Sequence, residues 1–196
     1  MCPDFEIDLG LWRRLELDLD GAFAIDPRAG SVPDHLWLSA KVGILDARLG
    51  GRLAVALGAQ LGPRLPVAHG ATGVGVDGLL LVGLALPRTH VVLNAGAYLD
   101  PEQAIEDGTM RRPAGVQLGL DVDVDLTADG RWSFHGAAGA LAALTVDPHQ
   151  LTLAAGIVFQ PAPSLELSLL FLAGLLPGGD RAGVLVGASP KWILWR

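Results

Sequence analysis

The chain alternates apolar and polar residues with a period of two, and it does so in segment after segment. In Val116-Gln117-Leu118-Gly119-Leu120-Asp121-Val122-Asp123-Val124-Asp125-Leu126 every second residue is a branched aliphatic, and those between are Gln, Gly or Asp. Only a β-strand sends two such sets to opposite faces. A water-soluble sheet would turn the aliphatic set toward a core, whereas a transmembrane barrel turns it toward lipid and the acidic set toward a wet lumen. The function of the chain depends on which of these holds.

Hydrophobic residues make up 51% of the 196 positions and the mean hydropathy is +0.42. No stretch approaches the roughly 18 uninterrupted apolar residues of a membrane helix. A barrel reconciles the two, because it spreads its lipid-facing surface over many half-apolar strands. The length suits one domain over residues 1–196. Many of the 26 glycines fall inside strand-like runs, where they let backbones curve and pack closely. The formal net charge of -7, with no Lys/Arg cluster, argues against nucleic acid as a partner. The single cysteine, Cys2, excludes an intrachain disulfide and a Cys-rich metal centre. Met1–Phe5 has neither a basic n-region nor an apolar h-region, so on the barrel reading the sequence is a mature region or a piece of a larger barrel. A soluble protein needs no such segment.

The alternating segments cover 4–12, 15–26, 35–46, 52–62, 76–86, 89–100, 114–127, 131–144, 150–160, 164–176 and 183–189, with the start of another at 192–196. Most are near the ten residues that a tilted strand needs to cross the hydrocarbon layer. The aliphatic set is purest in Leu15, Leu17 and Leu19, in Leu53, Val55, Leu57 and Leu61, and in Leu165, Leu167, Leu169 and Phe171. Leu79, Leu81, Leu170 and Leu172 break the pattern and make part of the inner wall apolar. Arg13-Arg14, Pro87-Arg88, Ala128-Asp129-Gly130, Pro161-Ala162-Pro163 and Ser189-Pro190-Lys191 read as tight turns. Longer connections alternate with them at 27–34, 62–75, 101–113 and 177–182. Outer-membrane barrels sort their loops in this way, short at the periplasmic side and long outside. Trp12, Trp132, Trp192, Trp195 and Phe159 lie at or near the short turns, as an interfacial aromatic girdle would. No helix-period segment stands out, and 101–113, bounded by prolines, reads as the largest polar loop with room for one helical turn. If short turns are periplasmic, the strand ending at Trp12 runs inward from outside, so an upstream strand is missing, and 192–196 is about half a span.

Three phrases carry a family likeness: Leu11-Trp12-Arg13-Arg14-Leu15-Glu16-Leu17, then Leu36-Trp37-Leu38-Ser39-Ala40-Lys41-Val42, then a glycine-rich strand closing on Leu61-Gly62-Pro63-Arg64-Leu65-Pro66. Leu93-Asn94-Ala95-Gly96 and Pro163-Ser164-Leu165-Glu166-Leu167 fit the same succession. Together they resemble the outer-membrane barrel transporters associated with the meta-pathway of phenol degradation. The resemblance implies a membrane barrel that moves small solutes, aromatic or apolar compounds among them. It fixes no substrate-binding residue.

The polar constellation consists of two acidic triplets, Glu16, Asp18 and Asp20 on one strand and Asp121, Asp123 and Asp125 on another. Alternate positions put each triplet on one face, with neighbours roughly 6.6–7 Å apart. Both lie toward the short turns, and in a wet lumen their field would favour cations. Lys41, Gln60, Asn94, Tyr98, Gln117, His135 and Glu166 share the inward parity, and Lys41 reads as a counter-ion for a lumen carboxylate. Asp121-Val-Asp-Val-Asp fails as a calcium loop, because Leu126 stands where the loop needs Gly and Trp132 where it needs Glu. Gly73-Val74-Gly75-Val76-Asp77-Gly78 matches a dinucleotide fingerprint by letter, but a long loop precedes it and a strand follows it. The five histidines show no zinc-ligand spacing. Ser133 and His135, with Asp125 across the turn, put a hydroxyl near an imidazole, yet no hydrolase signature accompanies them.

The expected protein is an all-β, antiparallel up-and-down transmembrane barrel with about twelve strands visible. It sits in a bacterial outer membrane, contacts lipid and passes small solutes through a passive, cation-favouring channel, with no catalysis, cofactor or metal. Oligomeric state is not legible. The alternatives are a soluble β-barrel or sandwich binding an apolar ligand, in which the Leu/Val face is sheltered and the Asp face wet, and a closed-lumen structural barrel.

Overall fold

The computed structural model describes residues 4–26, 30–67, 70–104, 109–145, 149–176 and 181–190. The strand order follows the chain: β1 (Asp4–Trp12), β2 (Leu15–Asp26), β3 (Gly30–Leu49), β4 (Leu53–Leu65), β5 (Gly75–Leu86), β6 (Thr89–Leu99), β7 (Gln103–Ala104), β8 (Met110–Arg111), β9 (Ala114–Asp125), β10 (Trp132–Ala143), β11 (Gln150–Ala162), β12 (Leu165–Gly174) and β13 (Gly183–Pro190). Eleven of them form one sheet in the order β1-β2-β3-β4-β5-β6-β9-β10-β11-β12-β13. Each strand is antiparallel to its neighbours. Among the described residues there is no helix, and β1 and β13 are edges that do not pair with each other.

Several expected boundaries move. The segment read as 35–46 is a twenty-residue strand, Gly30–Leu49, so residues 30–34 belong to β3 and not to a long connection. Its start pairs with the end of β2 through Ile25↔Ser31 and Asp26↔Gly30, past a bulge at Ala22/Phe23. A bulge adds a residue without breaking the ladder, which is how the pairing continues across Pro33. The turn after β11 is Pro163-Ser164, since Ala162 already pairs with Leu165. Within 101–113, β7 and β8 form a two-stranded ribbon where one helical turn had been allowed. The segment 192–196, with Trp192 and Trp195, lies outside the described residues.

Most connections are shorter at one end of the sheet than at the other, although three residues join β2 to β3 at the longer end and six join β9 to β10 at the shorter one. Arg13-Arg14, Pro87-Arg88 and Pro163-Ser164 are two-residue hairpins at one end, as the pairs Trp12↔Leu15, Leu86↔Thr89 and Ala162↔Leu165 require. Gly50-Gly51-Arg52 closes β3 onto β4 at that end, with consecutive φ angles of 60° and 75° that glycine adopts without a Cβ clash. Between β9 and β10, the Arg131 amide donates to Asp129 Oδ1 at 3.2 Å. Hydrogen bonds from Thr127 and from the Arg131 backbone hold the Asp129 carboxyl below its ordinary pKa. At the opposite end, 66–74 and 100–113 are long and are tied together by a bridge between Thr72 and Glu102.

The two faces of the sheet differ sharply. The aliphatic set is exposed: Leu61 is 63% accessible, Leu80 and Leu118 60%, and Phe171 62%. On the other face Asp18, Ser39 and Gln60 are buried, and Asp77 is 0% exposed. Asp18 and Asp77 are enclosed by hydrogen-bonding neighbours on the same face. Among the described residues Leu170 and Tyr98 are buried, and both belong to this polar face. Trp132 and Phe159 pair across β10 and β11 beside the short turns, with ring centroids 4.3 Å apart and planes 24° from parallel. Trp12, at the same end, is 74% exposed.

Glycines let side chains and backbones approach closely on this face. A Cβ on Gly115 would stand 2.6 Å from the Tyr98 ring and 2.9 Å from the Ala142 carbonyl oxygen, so the tyrosine lies flat on β9 because its neighbour has no side chain. Gly115→Ala is expected to lower stability by about 1–3 kcal/mol, the cost of overpacking. A shifted urea midpoint checks this, and an unchanged midpoint would show that Tyr98 is not held there.

Candidate functional site

The polar face holds three groups of interacting side chains. Strand alternation explains why they meet, since each residue follows its neighbour on the same face at every second position.

The first group sits near the short-turn end of β1–β4. Asp18 Oδ2 accepts a hydrogen bond from Gln60 Nε2 at 2.6 Å and another from Ser39 Oγ at 3.3 Å. Gln60 Nε2 also donates to Ser39 Oγ at 2.7 Å. Lys41 Nζ contacts Glu16 at 2.6 Å and Asp8 at 3.8 Å. Lys41 is therefore a counter-ion on this wall, with Glu16 as its principal partner. Asp20, Glu6 and Asp8 complete an acidic neighbourhood.

The second group lies toward the long connections. Arg64 Nε donates to Asp77 Oδ2 at 2.9 Å, its Nη2 reaches the same oxygen, and its Nη1 donates to Asp100 Oδ1 at 2.7 Å. Gln117 Nε2 donates to Asp77 Oδ1 at 2.7 Å. The guanidinium carbon stands 5.1 Å from the Tyr98 ring centroid and 6.0 Å from that of Trp37, within cation–π range. Side chains of β3, β4, β5, β6 and β9 thus meet in one network around Arg64.

The third group is the row formed by β6, β9 and β10. Asp123 pairs with His90 on one side and His135 on the other, and His135 Nδ1 lies 2.8 Å from Asp123 Oδ1. The sequence put Asp125 across the turn from Ser133 and His135; the register pairs Asp125 with Ser133 and Asp123 with His135. The side chain of Asn94 packs against Gly119. Beside it Gly119, Ala137 and Gly139 leave a recess of about 350 Å³ that Asp121 and Gln117 also line.

Glu16, Asp18, Asp20, Lys41, Gln60, Asn94, Tyr98, Gln117, Asp121, Asp123, Asp125, His135 and Glu166 are all buried or half-buried. They do not form a single cluster. Gln60 joins the Asp18 group, Tyr98 and Gln117 join the Arg64 group, and Glu166 lies on β12 opposite Ser189. The sequence reading missed Arg64, Asp77 and Asp100. Arg64 follows Gly62-Pro63, which looks like a turn, and Asp77 lies in the glycine-rich run that resembled a nucleotide loop. The signal that would have found both is parity: Gln60, Gly62 and Arg64 continue one alternation, and Asp77, Leu79 and Leu81 another.

Neither a protein-family model nor a curated protein matches this chain.

Proposed function

We propose that the chain forms a bacterial outer-membrane β-barrel and acts as a passive channel for small solutes, aromatic or apolar compounds among them. The observation that carries this reading is the inverted distribution of the two faces, with buried polar residues such as Asp77 and Asp18 and exposed Leu61, Leu80, Leu118 and Phe171. A soluble ligand-binding sheet would shelter the aliphatic face, because soluble monomers rarely expose contiguous apolar patches beyond a few hundred Å². Lipid removes that constraint, and water in the lumen solvates the acids. The sorted connections and the aromatic residues beside the short turns support the same reading, as does the resemblance to transporters of the phenol meta-pathway.

The eleven-stranded sheet has β1 and β13 running in the same direction, so antiparallel closure takes one further strand between them. Solutes would diffuse down their gradient without catalysis or a cofactor. At the short-turn mouth they would meet the two acidic triplets, whose field favours cations. At the other end the Arg64 network gathers several large side chains on the inner face and favours a second reading, a barrel whose interior is blocked.

Conductance in planar bilayers separates these readings. A channel is expected to conduct with a cation preference, and Asp121→Asn, Asp123→Asn and Asp125→Asn together should move its reversal potential toward zero. An unchanged potential would remove that triplet from the selectivity role. Folded, membrane-inserted protein without conductance would favour the blocked barrel.

A further inference from the structure

We propose that the polar face carries a binding site for a hard divalent cation, calcium above all, formed by Glu6, Asp8 and Asp18. The register of β1 on β2 sets Asp8 opposite Asp18 and Glu6 opposite Asp20, which brings the three carboxylates onto one face. One oxygen from each lies within 4.8 Å of the others. Calcium holds its ligands at about 2.3–2.6 Å, so two oxygens on opposite sides of one ion are about 4.8 Å apart, and the trio fits on a single coordination shell.

Proximity of acids alone would be a weak argument, since exposed carboxylates often gather without an ion. Asp18 is different. It is only 3% exposed, Gln60 and Ser39 both donate to its Oδ2, and its Oδ1 is buried with no hydrogen-bond partner. A buried carboxylate oxygen without a partner is costly, and a cation at the trio supplies what is missing. The nearby ammonium does not do so in full, because Lys41 closes on Glu16 at 2.6 Å and stands 3.8 Å from Asp8. Gln60 and Ser39 act as supporting groups that fix the orientation of Asp18, as outer partners of metal ligands do.

The donor set names the ion class. Carboxylate oxygens without imidazole or thiolate suit calcium, magnesium or manganese over zinc or copper. Magnesium demands near-octahedral geometry and gives up water reluctantly, whereas calcium accepts an irregular shell completed by solvent. Glu6 and Asp8 are exposed, so the ion exchanges with bulk water. The site does not depend on a conducting lumen, and it would strap the edge strand β1 onto β2.

Calcium titration of the refolded full chain by calorimetry, in metal-free buffer with monovalent salt, tests the proposal. The expected result is one ion per chain with a dissociation constant of about 10⁻⁴–10⁻³ M, the range of weak, solvent-open sites. Asp18→Asn should weaken binding at least about tenfold, while Asp20→Asn, which removes the same charge two residues along the same face, should weaken it less than about threefold. Should Asp18→Asn fail to fold, Glu6→Gln with Asp8→Asn at exposed positions is expected to produce the same tenfold loss. Equal weakening by Asp18→Asn and Asp20→Asn would mean a diffuse acidic field and overturn the site, as would the absence of saturable binding.

Discussion

Arg64→Met is expected to destabilise the fold by about 3–5 kcal/mol, the usual cost of leaving one member of a buried ion pair without the other. Asp77 is 0% exposed, and its Oδ2 is held by the Arg64 guanidinium while its Oδ1 takes the Gln117 amide at 2.7 Å. Removing the guanidinium leaves a carboxylate that neither water nor another cation in the network neutralises. Asp100, bound to Arg64 at 2.7 Å, loses its partner too, but it is partly exposed and water can compensate. Arg64→Lys is expected to fall between wild type and Arg64→Met, since one ammonium cannot fork between Asp77 and Asp100. Arg64→Met combined with Asp77→Leu should recover most of the loss, because removing both charges at once removes the desolvation problem as well. Equilibrium urea unfolding of the four proteins measures all of this. If Arg64→Met kept the wild-type midpoint, the network of β3, β4, β5, β6 and β9 side chains around this arginine would not be a source of stability.

How much of this was legible beforehand depended on whether the signal was local. Alternation within a strand is local, and the strands that carry Asp121, Asp123, Asp125, Leu165, Leu167 and Leu169 lie within two residues of their expected limits. Parity also put Asp18, Lys41 and Gln60 on one face before any neighbour was known. What parity cannot give is which side chain meets which, since that follows from the stagger of adjacent strands. A shift of two residues keeps every face and changes every partner. The pairing of His135 with Asp123, and of Ser133 with Asp125, was for that reason not legible in either strand alone. Bulges were equally illegible: the extra residue near Ala22/Phe23 lets β3 extend back to Gly30, in a stretch that read as a long connection. Arg64 and Asp77 were hidden by Gly-Pro and Gly-Val-Gly sequences that mark loops elsewhere. Here Gly62 and Gly75 are places where the neighbouring backbone comes too close for a Cβ.

Leu80→Arg is expected to lower stability in phospholipid vesicles by about 2–4 kcal/mol, the cost of a cation on the lipid face near the bilayer midplane. Leu80 is 60% exposed and lies near the middle of β5, in the outward row with Ala59 and Ala95, where the span is farthest from both mouths. Leu167→Arg provides the contrast. It is also exposed and on the same face, but it stands three residues from the Pro163-Ser164 turn, where a barrel reaches the interface and the cost falls to about 0–1 kcal/mol. In water both substitutions put a charge on an already accessible position, and each should change stability by no more than about 0.5 kcal/mol. The depth dependence is therefore the decisive quantity, since a general intolerance of arginine would lower both proteins alike. A large loss at Leu80 with a small one at Leu167 would mean that the aliphatic face meets hydrocarbon of finite thickness. Equal and negligible losses would mean that it meets water or another protein surface, and the channel reading would have to be abandoned together with the lipid.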